Sequence, residues 1–159
     1  MNALIVYHSK TGHTRQAADD IARGLVSEGV EADVKAADGL SGKGALDGYD
    51  IVLFGTPTYG NRRYNLPAKP VDDLMKSLAP GGLEGKTVGA FTVFAGYGGG
   101  KLVTNMEGSL AGLGGKVVGG GPAVKAGAPL SLWKGPDAKP ADTTACEEFG
   151  RKVARLAGI

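Results

Sequence analysis

Short apolar runs alternate along this chain with amphipathic stretches. The runs at Ala3 to Tyr7, Ile51 to Gly55 and Val88 to Val93 are apolar almost throughout, which is typical of strands buried on both faces of a parallel sheet. Ala32 to Ala36 is a weaker strand, and Lys116 to Gly120 begins a fifth. The pattern therefore predicts five strands.

Helical spacing of apolar residues marks the stretches between these runs. The first helix runs from Thr14 to Gly29, and the next starts at about Pro67, since proline suits a first helical turn. A third helix contains Leu102 and Leu113, and a last one covers 142–157. Asp142 is its predicted N-cap, with Thr143 as the alternative.

Alternating strands and helices with short links predict an α/β fold, a doubly wound five-stranded parallel sheet of order 2-1-3-4-5 in one domain, 1–159. Ligands of such sheets bind beyond the carboxyl ends of the strands where the winding reverses. Three loops are therefore expected to build the site: His8 to Thr14, Thr56 to Asn65 and Phe94 to Lys101. The segment from Gly121 to Ala141 is too long for an ordinary link; it is either a plain excursion, a cover for one face or an oligomer contact.

Composition narrows the function. The net charge is only +2, with basic and acidic residues interspersed, which argues against a nucleic-acid partner. The single cysteine, Cys146, excludes an internal disulfide and a multi-cysteine metal cluster, and is predicted to be a small buried hydrophobe. Because no apolar run is long enough to cross a membrane or serve as a signal peptide, a cytoplasmic protein is expected.

A polar, glycine-containing segment joins the first strand to the first helix. It offers hydroxyl groups and a row of backbone N–H groups at a helix N-terminus, which suits a phosphate monoester; alternatively, its hydroxyls only cap the helix and complete turns. The spacing matches neither a nucleoside-triphosphate loop nor a dinucleotide fingerprint, and the segment lacks a cysteine nucleophile. Its residues are Ser9, Lys10, Thr11, Gly12, His13 and Thr14.

After the strand ALIVY, this segment resembles the phosphate loop of the flavodoxin family, [ST]-x-T-G-x-T. The second loop is similar to those of flavodoxins, of the flavin domains of flavodiiron proteins and of WrbA-type quinone reductases. The resemblance implies an FMN cofactor, with Tyr59 stacked on the flavin and a peptide at Gly60 that changes orientation on reduction; without it, Tyr59 reads as a half-buried loop aromatic. This loop contributes Thr56, Pro57, Thr58, Tyr59, Gly60 and Asn61.

The third loop carries so little side-chain bulk that a ligand is expected to approach its backbone, although a flexible connector has the same composition. The resemblance implies that the pyrimidine edge of the flavin lies against this backbone. Tyr97 or Phe94 is expected to be the second aromatic ring that stacks on the flavin. Thr92, in the preceding strand, completes the predicted cofactor-binding set. The loop contributes Phe94, Ala95, Gly96, Tyr97, Gly98 and Gly99.

The resemblance implies an electron carrier that shuttles electrons between a reductase and an acceptor protein. The alternative is an FMN-dependent NAD(P)H:quinone oxidoreductase, favoured by the third loop and by Arg62-Arg63, which is otherwise a solvated surface pair. A third possibility is a flavin-free interaction module. The sequence departs from most flavodoxins, which are acidic, in having a pI of about 8.6; this puts the usual basic partners in doubt.

Overall fold

The computed structural model describes residues 1–40, 42–58, 66–95, 98–126 and 137–158. No helix within these ranges is both long enough and apolar enough to cross a lipid bilayer. The elements in chain order are β1 (Asn2–Tyr7), α1 (His13–Ser27), β2 (Glu31–Ala36), α2 (Gly42–Ala45), β3 (Ile51–Thr58), α3 (Lys69–Ser77), β4 (Thr87–Phe94), α4 (Gly99–Gly112), β5 (Lys116–Val117), β6 (Ala123–Lys125) and α5 (Pro140–Leu156).

The sheet is parallel with the order β2-β1-β3-β4-β5, and β6 also pairs with β4. This confirms the predicted fold class and strand order. In β1 and β3, successive side chains enter opposite faces, so Ile5 and Leu53 pack with α1 and α5 while Val6 and Phe54 pack with α3 and α4. Burial on both faces explains why these strands read as continuous apolar runs.

The fifth strand is interrupted, which the sequence did not predict. Thr87 faces Lys116 and Thr92 faces Ala123, so this strand contains two more residues than β4 over the same interval. The backbone N–H of Thr92 donates to the carbonyl of Pro122 at 3.0 Å. The segment from Gly121 to Ala141, predicted only to be too long for an ordinary link, thus begins by returning to β4 as β6.

Strand β3 is longer than predicted and includes Thr56, Pro57 and Thr58, which were expected to lie in a loop. These residues pair with Thr92, Val93 and Phe94 of β4. Proline is tolerated here because β1 pairs with β3 only as far as Gly55, and the alternation of the strand turns the nitrogen of Pro57 toward that vacated side.

Several helix starts also differ from the prediction. Helix α3 begins at Lys69 rather than at about Pro67, with Pro70 in its first turn. Helix α5 begins at Pro140 after Lys139 as the N-cap, so the assignment of the N-cap to Asp142, or to Thr143, was wrong. Proline fixes the φ angle of the first turn and starts each helix at a position that apolar periodicity does not reveal.

Helices α1 and α5 lie side by side on one face of the sheet, at a distance set by glycine. A Cβ atom on Gly24 would lie 2.0 Å from the carbonyl oxygen of Glu147, and one on Gly150 would lie 2.2 Å from that of Ile21. Both obstacles are backbone atoms, which do not move aside independently of the helix. Cys146, on the same face of α5, is buried as predicted.

Replacing Gly24 by alanine should therefore force α1 and α5 apart. We expect Gly24→Ala to lower the free energy of unfolding of the apoprotein by about 2 to 4 kcal/mol, as overpacking does, measured by urea denaturation. Gly108→Ala is the matched control, since Gly108 lies in α4 with no atom within 4 Å of the added Cβ; it should be neutral or stabilising by up to about 1 kcal/mol. Equal effects of the two substitutions would contradict the close contact.

Candidate cofactor-binding site

The carboxyl ends of β1, β3 and β4 meet at one edge of the sheet, where the predicted loops start. The backbone N–H of His8, directly after β1, donates to the carbonyl of Gly55 in β3 at 3.1 Å. Nδ1 of His8 lies 3.0 Å from Oδ1 of Asp38, after β2, and this hydrogen bond lowers the pKa of the Asp38 carboxyl. Asp38 was not among the predicted site residues; its position just after a predicted strand was the available signal.

The loop between β1 and α1 leaves the N-terminus of α1 open. Gly12 is the N-cap residue, has a left-handed φ of 95°, and no side chain caps the helix. Serine 9 instead completes a turn, since its Oγ accepts the N–H of Gly12 at 2.9 Å. The hydroxyls of Thr11 and Thr14 form no hydrogen bond with any described residue. Helix capping, the alternative reading of these hydroxyls, is therefore not what they do.

His13 is buried at the start of α1, with 8% of its surface exposed. Its Nδ1 lies 3.8 Å from Oδ1 of Asp137, in the segment before α5. Lys10, at the tip of the loop, is exposed. The two ends of the loop thus carry the only two histidines of the sequence, and each faces an aspartate from another part of the chain.

Hydroxyl groups fix the end of β3. The Oγ1 of Thr92 in β4 donates to the carbonyl of Thr56 at 2.6 Å, and the Oγ1 of Thr56 accepts the N–H of Ala68 at 2.7 Å. Both hydroxyls are thus engaged within the protein. Thr58 differs, because its Oγ1 is buried and has no hydrogen-bond partner; an unpaired buried hydroxyl costs free energy unless a ligand satisfies it.

The third predicted loop is short, because β4 extends to Phe94 and α4 begins at Gly99. Gly98 is the N-cap of α4, with a left-handed φ of 91° and no side-chain cap. The ring of Phe94 lies against Gly99, where a Cβ atom would fall 2.4 Å from Cδ1 of the ring. Ala95, the next residue, is partly buried. Helix α4 thus presents a second open N-terminus to the same edge of the sheet as α1.

Other predicted site residues lie outside the described part of the chain. They are Tyr59, Gly60, Asn61, Gly96 and Tyr97, and the Arg62-Arg63 pair falls there too. The predicted stacking by Tyr59 or Tyr97 and the backbone change at Gly60 therefore stay predictions.

A cavity of about 380 Å³ lies beside the loop, between α1 and α5. Its carboxylates disfavour a phosphate, and burial raises the pKa of the Cys146 thiol to about 12. In the described part of the chain, no three His, Cys, Asp or Glu side chains are grouped to hold a metal ion. The cavity is lined by Thr11, Gly12, His13, Gln16, Ala17, Asp20, Val124, Asp137, Ala138, Asp142, Thr143 and Cys146.

These features fit a phosphate-bearing cofactor at the carboxyl edge of the sheet. The hydroxyls of Thr11 and Thr14 are not used by the described residues, and the field of an open helix N-terminus favours an anion. The unpaired hydroxyl of Thr58 supplies a further polar group close by. The molecule is therefore a doubly wound α/β protein of the class that holds a ligand at the switch point of its sheet.

The chain belongs to the flavodoxin family: the family model for flavodoxin matches residues 5–150. Family membership implies FMN as the cofactor. A flavodoxin of Nitratidesulfovibrio vulgaris is 32% identical over 124 residues, which cover 74% of this chain and 80% of that protein. A flavodoxin of Maridesulfovibrio salexigens is 36% identical over 89 residues, which cover 56% of this chain and only 60% of that protein.

Solved structures show the same fold at low sequence identity. A flavodoxin from the domain Archaea superposes with a TM-score of 0.77 at 20% identity, covering 100% of both chains. The flavodiiron core of Flv1 from Synechocystis sp. PCC6803 superposes with a TM-score of 0.72 at 21% identity, covering 99% of this chain and 36% of that one. The predicted likeness to flavodoxins and to flavodiiron flavin domains is thus confirmed.

The unpaired hydroxyl of Thr58 gives a test of the site. Thr58→Val should leave the free energy of unfolding of the apoprotein unchanged or raise it by about 1 kcal/mol, because valine removes an unsatisfied group. FMN affinity, measured by fluorescence quenching, should fall about 5- to 20-fold if the hydroxyl bonds the cofactor.

Thr92→Val is the matched control for this substitution. It removes a hydroxyl that is bonded within the protein, so it should lower the stability of the apoprotein by about 1 kcal/mol. A stability loss of that size in Thr58→Val, with FMN affinity unchanged, would show that the Thr58 hydroxyl has an internal role instead.

Proposed function

We propose that this protein is an electron carrier that binds one FMN at the carboxyl edge of its sheet and exchanges electrons with protein partners in the cytoplasm. Residues 1–159 would form a single FMN-binding domain. The observation that carries the proposal is the β1–α1 loop, which leads into a helix N-terminus that no side chain caps. Bound FMN would supply a centre that takes up and releases electrons one at a time.

The loop would hold the phosphate of FMN. Thr11 and Thr14 would donate hydroxyl hydrogen bonds, and backbone N–H groups at the start of α1 would complete the cradle. Gly12 supports this role because its φ of 95° directs the chain into the helix without a side chain in the way. Lys10 adds a positive charge at the tip of the loop. This charge favours the dianionic phosphate of FMN over a neutral ligand.

The ends of β3 and β4 would hold the isoalloxazine ring. Thr56 and Thr92 keep these strand ends together through bonds that do not involve the ligand. Thr58 would offer its free hydroxyl, and the backbone around Gly98 and Gly99 would face the edge of the ring. Tyr59, Gly60, Asn61, Gly96 and Tyr97 complete the proposed site on the strength of the sequence.

A carrier needs a bound flavin and a surface for its partners, but no acid or base at the ring. The titratable side chains that the structure describes in the β1–α1 loop are Lys10 and two histidines, each of which faces a carboxylate. Their place at the phosphate end of the site supports binding rather than proton transfer. This favours the carrier over an enzyme that turns over NAD(P)H and quinones.

The phosphate assignment predicts selectivity for FMN over riboflavin. We expect FMN to bind at least about 100-fold more tightly, because riboflavin lacks the group that would make several charge-assisted hydrogen bonds. Thr14→Val should reduce that ratio about tenfold, whereas Thr144→Val, which removes an exposed hydroxyl on α5, should leave it unchanged. Calorimetric titration with both ligands measures the ratio; equal affinities for the two flavins would refute the assignment.

A turnover assay separates the carrier from the enzyme. The FMN-loaded protein mixed with NADPH and a benzoquinone should show no steady oxidation of NADPH above the rate of free FMN, yet dithionite should reduce it fully. Sustained turnover at a rate above about 1 s⁻¹, in the usual range of enzymes, would identify an oxidoreductase instead. A protein that takes up no FMN would contradict both functions.

A further inference from the structure

Five cations from different parts of the chain lie at the edge of the sheet where the cofactor is proposed to bind. Each is exposed. Lys10 follows β1, Lys125 is the last residue of β6 and Lys139 precedes α5, while Arg15 and Lys101 lie in the first turns of α1 and α4. Because the strands are parallel, all of these positions belong to the carboxyl edge.

Most of these cations are not neutralised by neighbours. Lys10, Arg15, Lys125 and Lys139 form no ion pair with a described residue. Some other cations are neutralised by carboxylates, since Lys76 pairs with Asp72 at 2.7 Å and Arg155 pairs with Glu28 at 3.0 Å.

The edge formed by the amino ends of the strands differs from the carboxyl edge in charge. There, Nζ of Lys86 donates to the carbonyls of Leu46 and Tyr49 at 3.1 and 2.7 Å. That edge also holds several carboxylates, those of Glu28, Glu31, Asp47, Asp50 and Glu84. The carboxylates thus collect at this edge, whereas exposed cations without an ion pair, such as Lys125 and Lys139, lie at the carboxyl edge.

The helix dipole does not favour the positions of two of these cations. Arg15 and Lys101 lie at helix N-termini, where the helix dipole disfavours a positive charge by about 0.3 to 1 kcal/mol, and neither α1 nor α4 has an acidic residue in its first turn. Two positive side chains placed against the helix dipole are consistent with a function that needs a positive potential at this surface.

Most carboxylates described at the same edge already face a histidine or a cation of the chain, as Asp72 of α3 does with Lys76. Asp38 is hydrogen-bonded to His8, and Asp137 faces His13. Asp142 lines the cavity between α1 and α5.

We propose that the carboxyl edge is a docking surface for an acidic redox protein, one whose own redox centre is surrounded by carboxylates. This inference rests on the proposed function, because docking there brings the partner to the site of FMN. Complementary potentials raise association rates by about 10- to 1,000-fold at low ionic strength, and salt removes the gain. A basic partner is repelled by the same charges.

Two haem proteins of opposite charge serve as probes: the soluble domain of cytochrome b5, which is acidic, and cytochrome c, which is basic. The FMN-loaded protein is reduced with dithionite, and its oxidation by each probe is followed by stopped-flow absorbance between about 10 and 500 mM salt, a range over which the Debye length falls from about 30 Å to a few Å. The rate with cytochrome b5 should fall with salt by at least about tenfold, and that with cytochrome c should stay flat or rise.

Charge reversal at the edge tests the residues. Lys125→Glu/Lys139→Glu should slow the reaction with cytochrome b5 about tenfold at low salt and speed that with cytochrome c. Lys116→Glu/Lys152→Glu is the matched control: it makes the same change in net charge away from the edge, where each lysine donates only one exposed hydrogen bond to a carbonyl. It should change either rate less than about twofold.

The outcomes distinguish this inference from the proposed function. The flavin absorbance of each variant and its full reduction by dithionite report cofactor binding. A wild-type protein that shows neither would refute the proposed function as an electron carrier. A normal FMN spectrum with no effect of salt or of Lys125→Glu/Lys139→Glu on the reaction with cytochrome b5 would refute only the docking surface. It would also be refuted if the double substitution left both haem proteins unaffected but slowed reduction by NADPH, since the edge would then receive a nucleotide phosphate.

Discussion

The parallel register of β1, β3 and β4 is the constraint on which the site depends. Val6 faces Phe54, and Phe54 faces Ala90, so the three strands end close together and their loops leave from one edge. The bond from His8 to Gly55 fixes the point where the β1–α1 loop departs from the sheet. A shift of one residue in this register would exchange the two faces of a strand that is fully buried. The core that holds the sheet together therefore also holds the loops in place.

Two helices then direct positive potential to that edge. Gly12 and Gly98 both occupy N-cap positions with left-handed φ angles of 95° and 91°, and no side chain caps either helix. A serine or aspartate at these positions would satisfy the first N–H groups and stabilise the helix by about 1 kcal/mol. Helices α3 and α5 also lack a side-chain cap, so the feature that distinguishes α1 and α4 is a left-handed glycine at the N-cap. Exposed lysines and arginines strengthen the same potential around the site.

The opposite faces of the sheet carry out different tasks. On one face, α1 and α5 approach so closely that Gly24 and Gly150 admit no Cβ atom, and this contact lies in the C-terminal half of α1. On the other face, α3 and α4 pack through larger apolar side chains such as Leu74 and Met106. At the end of β3, Thr56 and Thr92 replace apolar packing with hydrogen bonds. Of the three threonines named at these strand ends, Thr58 alone has a buried hydroxyl that the described residues do not satisfy.

The sequence by itself determined the alternation of strands and helices, the order of the sheet and the loop that suits a phosphate, because apolar period, glycine and hydroxyl spacing are local properties. It placed the end of β3 and the starts of α3 and α5 wrongly, since pairing with β4 and the first-turn prolines outweigh apolar periodicity. Only the tertiary structure decided that the hydroxyl of Thr92 donates to the carbonyl of Thr56 and that His8 forms a hydrogen bond with Asp38. It also decided that the fifth strand pairs with β4 again after an interruption. Each of these contacts joins residues distant in sequence, and the distance between them is set by the packing of the whole sheet.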